Sequence, residues 1–134
     1  MPNDFQAIGL RGLGAFRRKA DSIDGEFGMD RTGQIAVIFV STRTESDAAG
    51  YAAAAEVMDR LAAGQPGYRG VDSARGADGI GITVSWWADE ASALAWRAHP
   101  DHAAIRDRGR AEWYSQYEVA VARVGRSYEW GDNS

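Results

Sequence analysis

The hydrophobic pattern of the chain is clearest from residue 34 onward. Residues 34–42, QIAVIFVST, are rich in β-branched and aromatic residues and predict a buried strand. Two further strands are predicted at residues 68–75 and 80–87, with turn residues between them. Residues 116–128, QYEVAVARVGRSY, alternate between apolar and polar positions and predict a fourth strand.

Helical spacing fills the two longer intervals between these strands. Residues 45–67 repeat apolar side chains at i, i+4, i+7 and i+11 from Tyr51, and Ser46 or Asp47 is suited to cap the helix start. A second helix is predicted at residues 89–99, and a further helical piece at residues 100–114. The resulting order is β-α-β-β-α-β, the split βαβ pattern with a four-stranded sheet.

A sheet of this kind is covered by helices on one face only. The other face, being apolar, must be buried elsewhere, and a second copy of the chain is the simplest cover, so we predict a homodimer. In the second helix, Ala91, Leu94, Ala95 and Ala98 form one stripe that we expect to meet the sheet. Trp96 would then lie on the opposite side of the helix and need a different cover.

Residues 1–33 show no sustained period. They hold six glycines and scattered apolar residues, and we predict an N-terminal arm that packs on the main domain or on a partner chain, with one short helix near residues 13–21. The main domain is then residues 34–130, followed by a tail at residues 131–134.

The composition narrows the classes of function. A net charge of -4 argues against a nucleic-acid partner. The absence of cysteine excludes disulfides, a thiolate nucleophile and iron–sulfur clusters, and agrees with a reducing cytoplasm. Apolar runs all fall short of the roughly 20 residues that span a bilayer, and the N-terminus lacks a signal-peptide pattern. We therefore predict a cytoplasmic protein with no membrane partner.

Both histidines of the chain lie close together, as His99-x-x-His102. Pro100 between them is expected to place His99 at the N-cap of a helix and His102 in its first turn, so the two rings diverge and we predict no metal site. The helix N-terminus favours a neutral His102 ring, which is suited to act as a base or hydrogen-bond partner. The alternative interpretation is a capping or packing histidine.

Other polar groups follow the histidines. Arg106, Arg108 and Arg110 are interpreted either as a clamp for an anionic substrate or as a solvated face. Gly109 leaves room for a ligand or for close packing, and Tyr114 and Tyr117 are candidate phenol donors.

Three sequence pieces resemble the antibiotic biosynthesis monooxygenase domain family. They are GITVSWW at residues 81–87, AW-x-x-H-x-x-H at residues 95–102 and GR-x-x-WY-x-x-Y at residues 109–117, within a resemblance that covers about residues 34–130. The resemblance implies an α+β, ferredoxin-like fold with a four-stranded antiparallel sheet, paired into a dimeric α+β barrel. It also implies a cofactor-independent monooxygenase that uses O₂ on a small aromatic or electron-rich organic substrate, with a role in secondary metabolism.

On that hypothesis the candidate catalytic residues are His102, as base or hydrogen-bond partner, and Tyr117. The candidate substrate-binding residues are Trp87, Trp96, Arg110, Trp113 and Tyr114.

Two alternatives stay open. Haem-degrading members of the wider superfamily use an Asn–Trp–His set, of which only Trp96 is matched here: Arg106 stands at the histidine position, and the first strand holds no asparagine. The other alternative is a dimeric small-molecule binding protein or pathway accessory protein without turnover.

Overall fold

The computed structural model describes residues 15–20 and 30–131. Its strands are β1 (Ala15–Ala20), β2 (Ile35–Arg43), β3 (Tyr68–Arg75), β4 (Ile80–Trp87) and β5 (Tyr114–Arg123). Its helices are α1 (Ala48–Ala63), α2 (Glu90–Ala98) and α3 (Pro100–Arg108), and a π-helical turn (Gly109–Trp113) follows α3. Over the ranges described, no helix combines the length and apolar character that a membrane crossing requires.

All strands join one antiparallel sheet in the order β1-β3-β4-β2-β5. The four adjacent strands β3, β4, β2 and β5 form the predicted ferredoxin-like sheet, so the predicted fold is confirmed. The short helix predicted near residues 13–21 is wrong for residues 15–20, which pair as β1 with residues 70–75 of β3. Pairing with the edge of β3 satisfies backbone groups on both strands, which outweighs a weak local pattern.

Short polar caps set the helix starts. The carboxylate of Asp47 accepts a hydrogen bond from the backbone N–H of Gly50 at 3.1 Å at the start of α1. At the start of α3, Nδ1 of His99 accepts from the backbone N–H of Asp101 at 3.1 Å, and Pro100 is the first helical residue. The predicted N-cap position of His99 is confirmed.

The strand register arranges the helix-covered face of the sheet in four rows that cross β3, β4, β2 and β5. The first row is Tyr68, Trp87, Ile35 and Arg123; the second is Val71, Ser85, Val37 and Val121; the third is Ser73, Thr83, Phe39 and Val119; the fourth is Arg75, Gly81, Ser41 and Tyr117. Successive rows are two residues apart along a strand, or about 7 Å. The first and fourth rows are therefore about 20 Å apart.

The core lies between these rows and the helices, in two clusters. One cluster unites the first row with Ala93 and Trp96 of α2, and the other joins Tyr51 of α1 to Trp113. The predicted alanine and leucine stripe of α2 is wrong, since Leu94 is 55% exposed and Trp96 is buried. Burying the indole removes far more apolar surface from water than burying alanines does, so the tryptophan turns the helix.

Among the residues that the structure describes, no helix lies on the opposite face of the sheet. The register places on it a set of apolar side chains, namely Ile38, Val40, Ile80, Ile82, Val84 and Trp86. Ile80 and Ile82 are about half exposed in the single chain.

Candidate functional site

The middle of the helix-covered face is less buried than its two ends. The central strands are buried at the two outer rows, where Trp87 and Ser41 are 0% and 2% exposed. In the second and third rows the central-strand residues Val37, Phe39, Thr83 and Ser85 are only half-buried, although helices cover this face. We call the space over these four residues the central hollow.

The central hollow opens toward β5, the edge strand. Val121 and Val119 continue the second and third rows onto β5 and are 57% and 51% exposed. Beside Val37 and Phe39 they form an apolar floor, whereas Ser85 and Thr83 on β4 are polar. Such a surface suits a flat apolar ligand that also carries a few polar atoms.

His102 stands at one end of this floor, stacked on Trp96. The imidazole and indole centroids are 4.6 Å apart with an interplanar angle of 24°. The Trp96 ring is in turn stacked at 6.1 Å on Trp87 in the first row. Because the indoles of Trp87 and Trp96 are both buried, stacking on them holds the imidazole of His102 in one orientation.

The hydrogen bonding of His102 defines its tautomer. Its Nδ1 lies 2.9 Å from the backbone carbonyl oxygen of Trp96. A carbonyl oxygen accepts only, so Nδ1 carries the proton and donates, and in the neutral ring Nε2 keeps a lone pair.

The same environment favours the neutral ring. Burial lowers the pKa of His102 below its ordinary value, and the hydrogen bond to the Trp96 carbonyl only partly opposes this effect. The positive charge of Arg106 lowers that pKa further. The predicted neutral state therefore has burial as its main cause.

Tyr117 lies at the other end, in the fourth row. Its hydroxyl oxygen accepts a hydrogen bond of 2.6 Å from Nε of Arg110, and its ring lies 5.1 Å from that of Phe39. Since Arg110 occupies the oxygen as a donor, the phenol proton of Tyr117 stays available to an acceptor. His102 and Tyr117 thus belong to opposite ends of the central hollow rather than to one catalytic pair.

Trp113 and Tyr114 form a wall near Tyr117, with their polar atoms already engaged. Nε1 of Trp113 donates to Asp47 at 3.3 Å, and the hydroxyls of Tyr114 and Tyr51 share a hydrogen bond. Burial raises the pKa of Tyr114 and of Tyr51, so both phenols stay protonated. Tyr114 is half-buried and can offer ring surface to a ligand, whereas Trp113 is 3% exposed and packs behind it against Tyr51.

The π-helical turn positions this wall. A Cβ atom on Gly109 would lie 3.0 Å from the ring of Tyr114, so the room predicted beside Gly109 is filled by close packing. π-helical turns often occur at functional sites, where they redirect side chains. Here the turn ends at Trp113 and leads directly into β5 at Tyr114.

The three arginines of α3 and the turn do not converge as a clamp. Arg108 pairs with Asp47 at 3.2 Å and with Glu112 at 3.3 Å, and Arg106 donates to the carbonyl of Arg97 at 3.4 Å. Arg110 donates to the hydroxyl of Tyr117, whereas the guanidinium of Arg108 lies over the ring of Trp113, 5.1 Å from its centroid.

The histidines also differ in their available atoms. His99 uses Nδ1 as the helix cap, whereas His102 uses Nδ1 to hold the Trp96 carbonyl. Within residues 30–131, histidine and carboxylate side chains nowhere gather in a group of three that could hold a metal ion.

Sequence reasoning missed the residues of the floor. Two predicted strands supply this floor at alternate positions, namely Val37, Phe39, Thr83 and Ser85. The alternation indicates that the four side chains share one face of the sheet, but it does not indicate that the helices leave that face partly open. Val119 and Val121 of β5 also alternate along their strand, and their exposure was likewise not predictable from that pattern.

Several solved structures share the fold of this chain. The chain matches SnoaB from Streptomyces nogalater, described as a cofactor-independent oxygenase, with a TM-score of 0.61 and 16% identity over 72% of this chain and 97% of that one. It matches a putative monooxygenase from Fusobacterium nucleatum with a TM-score of 0.70 and 12% identity, over 90% of this chain and 55% of the other. An anthrone oxidase-like protein matches with a TM-score of 0.57 and 17% identity, over 84% of this chain and 56% of that one. At these identities the likeness shows the fold.

Sequence comparisons give the family. An uncharacterized Bacillus subtilis protein, YqjZ, is 48% identical over 99 residues, which are 74% of this chain and 86% of that protein. The model of the antibiotic biosynthesis monooxygenase family matches residues 34–108. The chain therefore belongs to the antibiotic biosynthesis monooxygenase family.

Proposed function

We propose that the protein is a cofactor-independent monooxygenase that binds a small electron-rich aromatic molecule in the central hollow and oxidises it with O₂. The observation that carries the proposal is His102, a neutral imidazole whose Nδ1–H is held by the Trp96 carbonyl at 2.9 Å. Its Nε2 lone pair can take a proton from a phenol or from an activated C–H group. Family membership and the fold shared with SnoaB support this role.

The reaction needs no external reductant. Nε2 of His102 removes a substrate proton, and the resulting anion gives one electron to O₂, forming a substrate radical and superoxide. The two combine as a carbon-bound peroxide, which recovers the proton from the imidazolium. Loss of water then leaves one oxygen atom of O₂ in a new carbonyl group and the other in water.

The surroundings of His102 serve this chemistry. The stacked indoles of Trp87 and Trp96 keep water from one side of the imidazole and hold its orientation. The floor of Val37 and Phe39 is suited to an aromatic ring. At the far end, the phenol proton of Tyr117, oriented by Arg110, would bind a substrate oxygen and set the direction in which the ligand lies. Tyr117 is then a positioning residue.

Steady-state kinetics with 1,8-dihydroxyanthrone test the role of His102. His102→Ala should lower kcat by about 100-fold or more, which is the usual contribution of a positioned general base. His99→Asn is the matched control, because asparagine preserves the N-cap of α3, and it should keep most of the wild-type rate. Unchanged turnover in the His102 variant would remove this residue from the mechanism. Binding of the anthrone without turnover in the wild-type protein would favour the accessory-protein alternative instead.

The helix-free face of the sheet supports a second part of the proposal, a homodimer. A contiguous apolar surface of this kind is typical of a protein interface, and a two-fold pair would bury it against itself. Sedimentation should give a dimer for the wild-type protein and a monomer for Ile82→Lys. Leu94→Lys, at an exposed site on α2 across the sheet, should stay dimeric. A dimeric Ile82→Lys protein would show that this face is not the interface.

A further inference from the structure

One buried hydroxyl group of the helix-covered face has no partner. Ser73 on β3 is 4% exposed, and its Oγ makes no hydrogen bond within the described part of the chain. Each of its neighbours in the same face of β3, Val71 and Arg75, is also buried. Ser73 is therefore a polar group that the fold has enclosed without satisfying it.

An unsatisfied buried hydroxyl is unfavourable, because the group loses its water and gains nothing in return. Alanine or valine would fill the same position on a strand without that loss. A serine here is consistent with a hydrogen bond that forms only when another molecule is bound.

The register shows which side chains lie beside Ser73. Ser73 is paired with Thr83, and both stand in the third row, which continues through Phe39 to Val119. The third row thus carries hydroxyl side chains on β3 and β4 and apolar side chains on β2 and β5. The third row is one of the two that floor the central hollow, and Thr83 is half-buried there.

The hydroxyl group of Ser85, in the second row, already has a hydrogen-bond donor. Oγ of Ser85, one row nearer to His102, accepts a hydrogen bond of 3.0 Å from Nε1 of Trp87. The hydroxyls suited to a ligand are therefore those of Ser73 and Thr83, which lie on the side of the hollow away from the open edge at β5.

We propose that Ser73 and Thr83 form a hydroxyl subsite that binds a second oxygen atom of the aromatic substrate, so that the site prefers aromatics with two separated oxygen substituents over those with one. The inference rests on the proposed function, because it places the same aromatic ring over the same floor. It adds a polar contact at the closed side of the hollow, distinct from His102 and from Tyr117.

Calorimetric titration with matched naphthols tests the subsite. The probes are 1-naphthol and the 1,5-, 1,6- and 1,7-dihydroxynaphthalenes, each of which adds one hydroxyl to 1-naphthol. At least one diol should bind the wild-type protein about three- to tenfold more tightly than 1-naphthol, as one added hydrogen bond predicts. Ser73→Ala and the near-isosteric Thr83→Val should remove that preference, so that each diol binds these variants no more tightly than 1-naphthol does. Ser46→Ala, at an exposed position, is the control and should keep it.

The outcomes separate the two proposals. If 1-naphthol binds and every diol binds within twofold of it, the hydroxyl subsite is refuted and the aromatic site stands. If no naphthol binds, both fail.

A ligand-free measurement gives a second test. The thermal midpoint of Ser73→Ala should equal or exceed that of the wild-type protein, because the substitution removes an unsatisfied group. A midpoint lower by several degrees would show that the hydroxyl is already satisfied without a ligand, which would overturn the inference.

Discussion

Replacing His102 with glutamine should change how the stability of the protein depends on pH. In the folded protein, burial lowers the pKa of His102 below the ordinary value of 6.5. In the unfolded chain the imidazole is exposed and titrates near that ordinary value. Between the two pKa values the unfolded chain binds a proton that the folded protein does not, so the free energy of unfolding rises with pH in this window.

The size of the effect follows from linkage. One proton of difference changes the free energy of unfolding by at most about 1.4 kcal/mol per pH unit. The hydrogen bond to Trp96 raises the pKa against the effect of burial, so the window is narrower than burial alone would make it. Stability relative to the glutamine variant should be full above about pH 6.5 and lost as pH falls through the lowered pKa.

Urea unfolding followed by tryptophan fluorescence, at roughly half-unit steps between about pH 4.5 and 8, measures this difference. The difference between wild type and His102→Gln should grow with pH up to about 6.5 and then stay constant. His99→Asn should retain the wild-type dependence, since it leaves His102 and its carbonyl partner in place. A difference that is flat across this range, or that falls with rising pH, would refute the assignment of His102 as a buried neutral imidazole.

Three further outcomes are expected. Gly109→Ala should lower the free energy of unfolding by about 1–3 kcal/mol, because the added methyl group meets the ring of Tyr114, whereas Gly125→Ala, with open space around it, should change stability by less than about 0.5 kcal/mol in urea titrations. Trp96→Ala should cost about 3–5 kcal/mol and Trp130→Ala, at a site 94% exposed, almost nothing in the same assay. Haem added at micromolar protein should keep the absorption spectrum of free haem, and a shifted Soret band would instead support the haem-degrading alternative.

The four strands that follow residue 34, and their order along the chain, were predictable because their signals are local. β3 and β4 occupy the predicted residues, since the turn residues between them mark where one strand ends and the other begins. β5 begins at Tyr114 and ends at Arg123, earlier than predicted at both ends, because it pairs with β2, whose last and first residues set those limits. The pattern alone could not show where the partner strand ends.

The features that escaped prediction depend on contacts between distant segments. The strand at residues 15–20 exists through pairing with β3. The buried side of α2 depends on Trp87, which lies on another element and stacks with Trp96. His102 was identified from its position at a helix start, but its tautomer depends on the Trp96 carbonyl, and its neutrality owes more to burial than to the helix dipole.

Oxygen uptake in the presence of 1,8-dihydroxyanthrone tests the central claim most directly. The protein is first dialysed against a chelator and shown by absorption to carry no flavin or haem. The account predicts uptake above the spontaneous rate, with one O₂ consumed per anthrone converted to the quinone and label from ¹⁸O₂ in the new carbonyl. Tight binding of the anthrone with uptake no faster than in buffer would contradict the claim that this hollow performs oxygen chemistry.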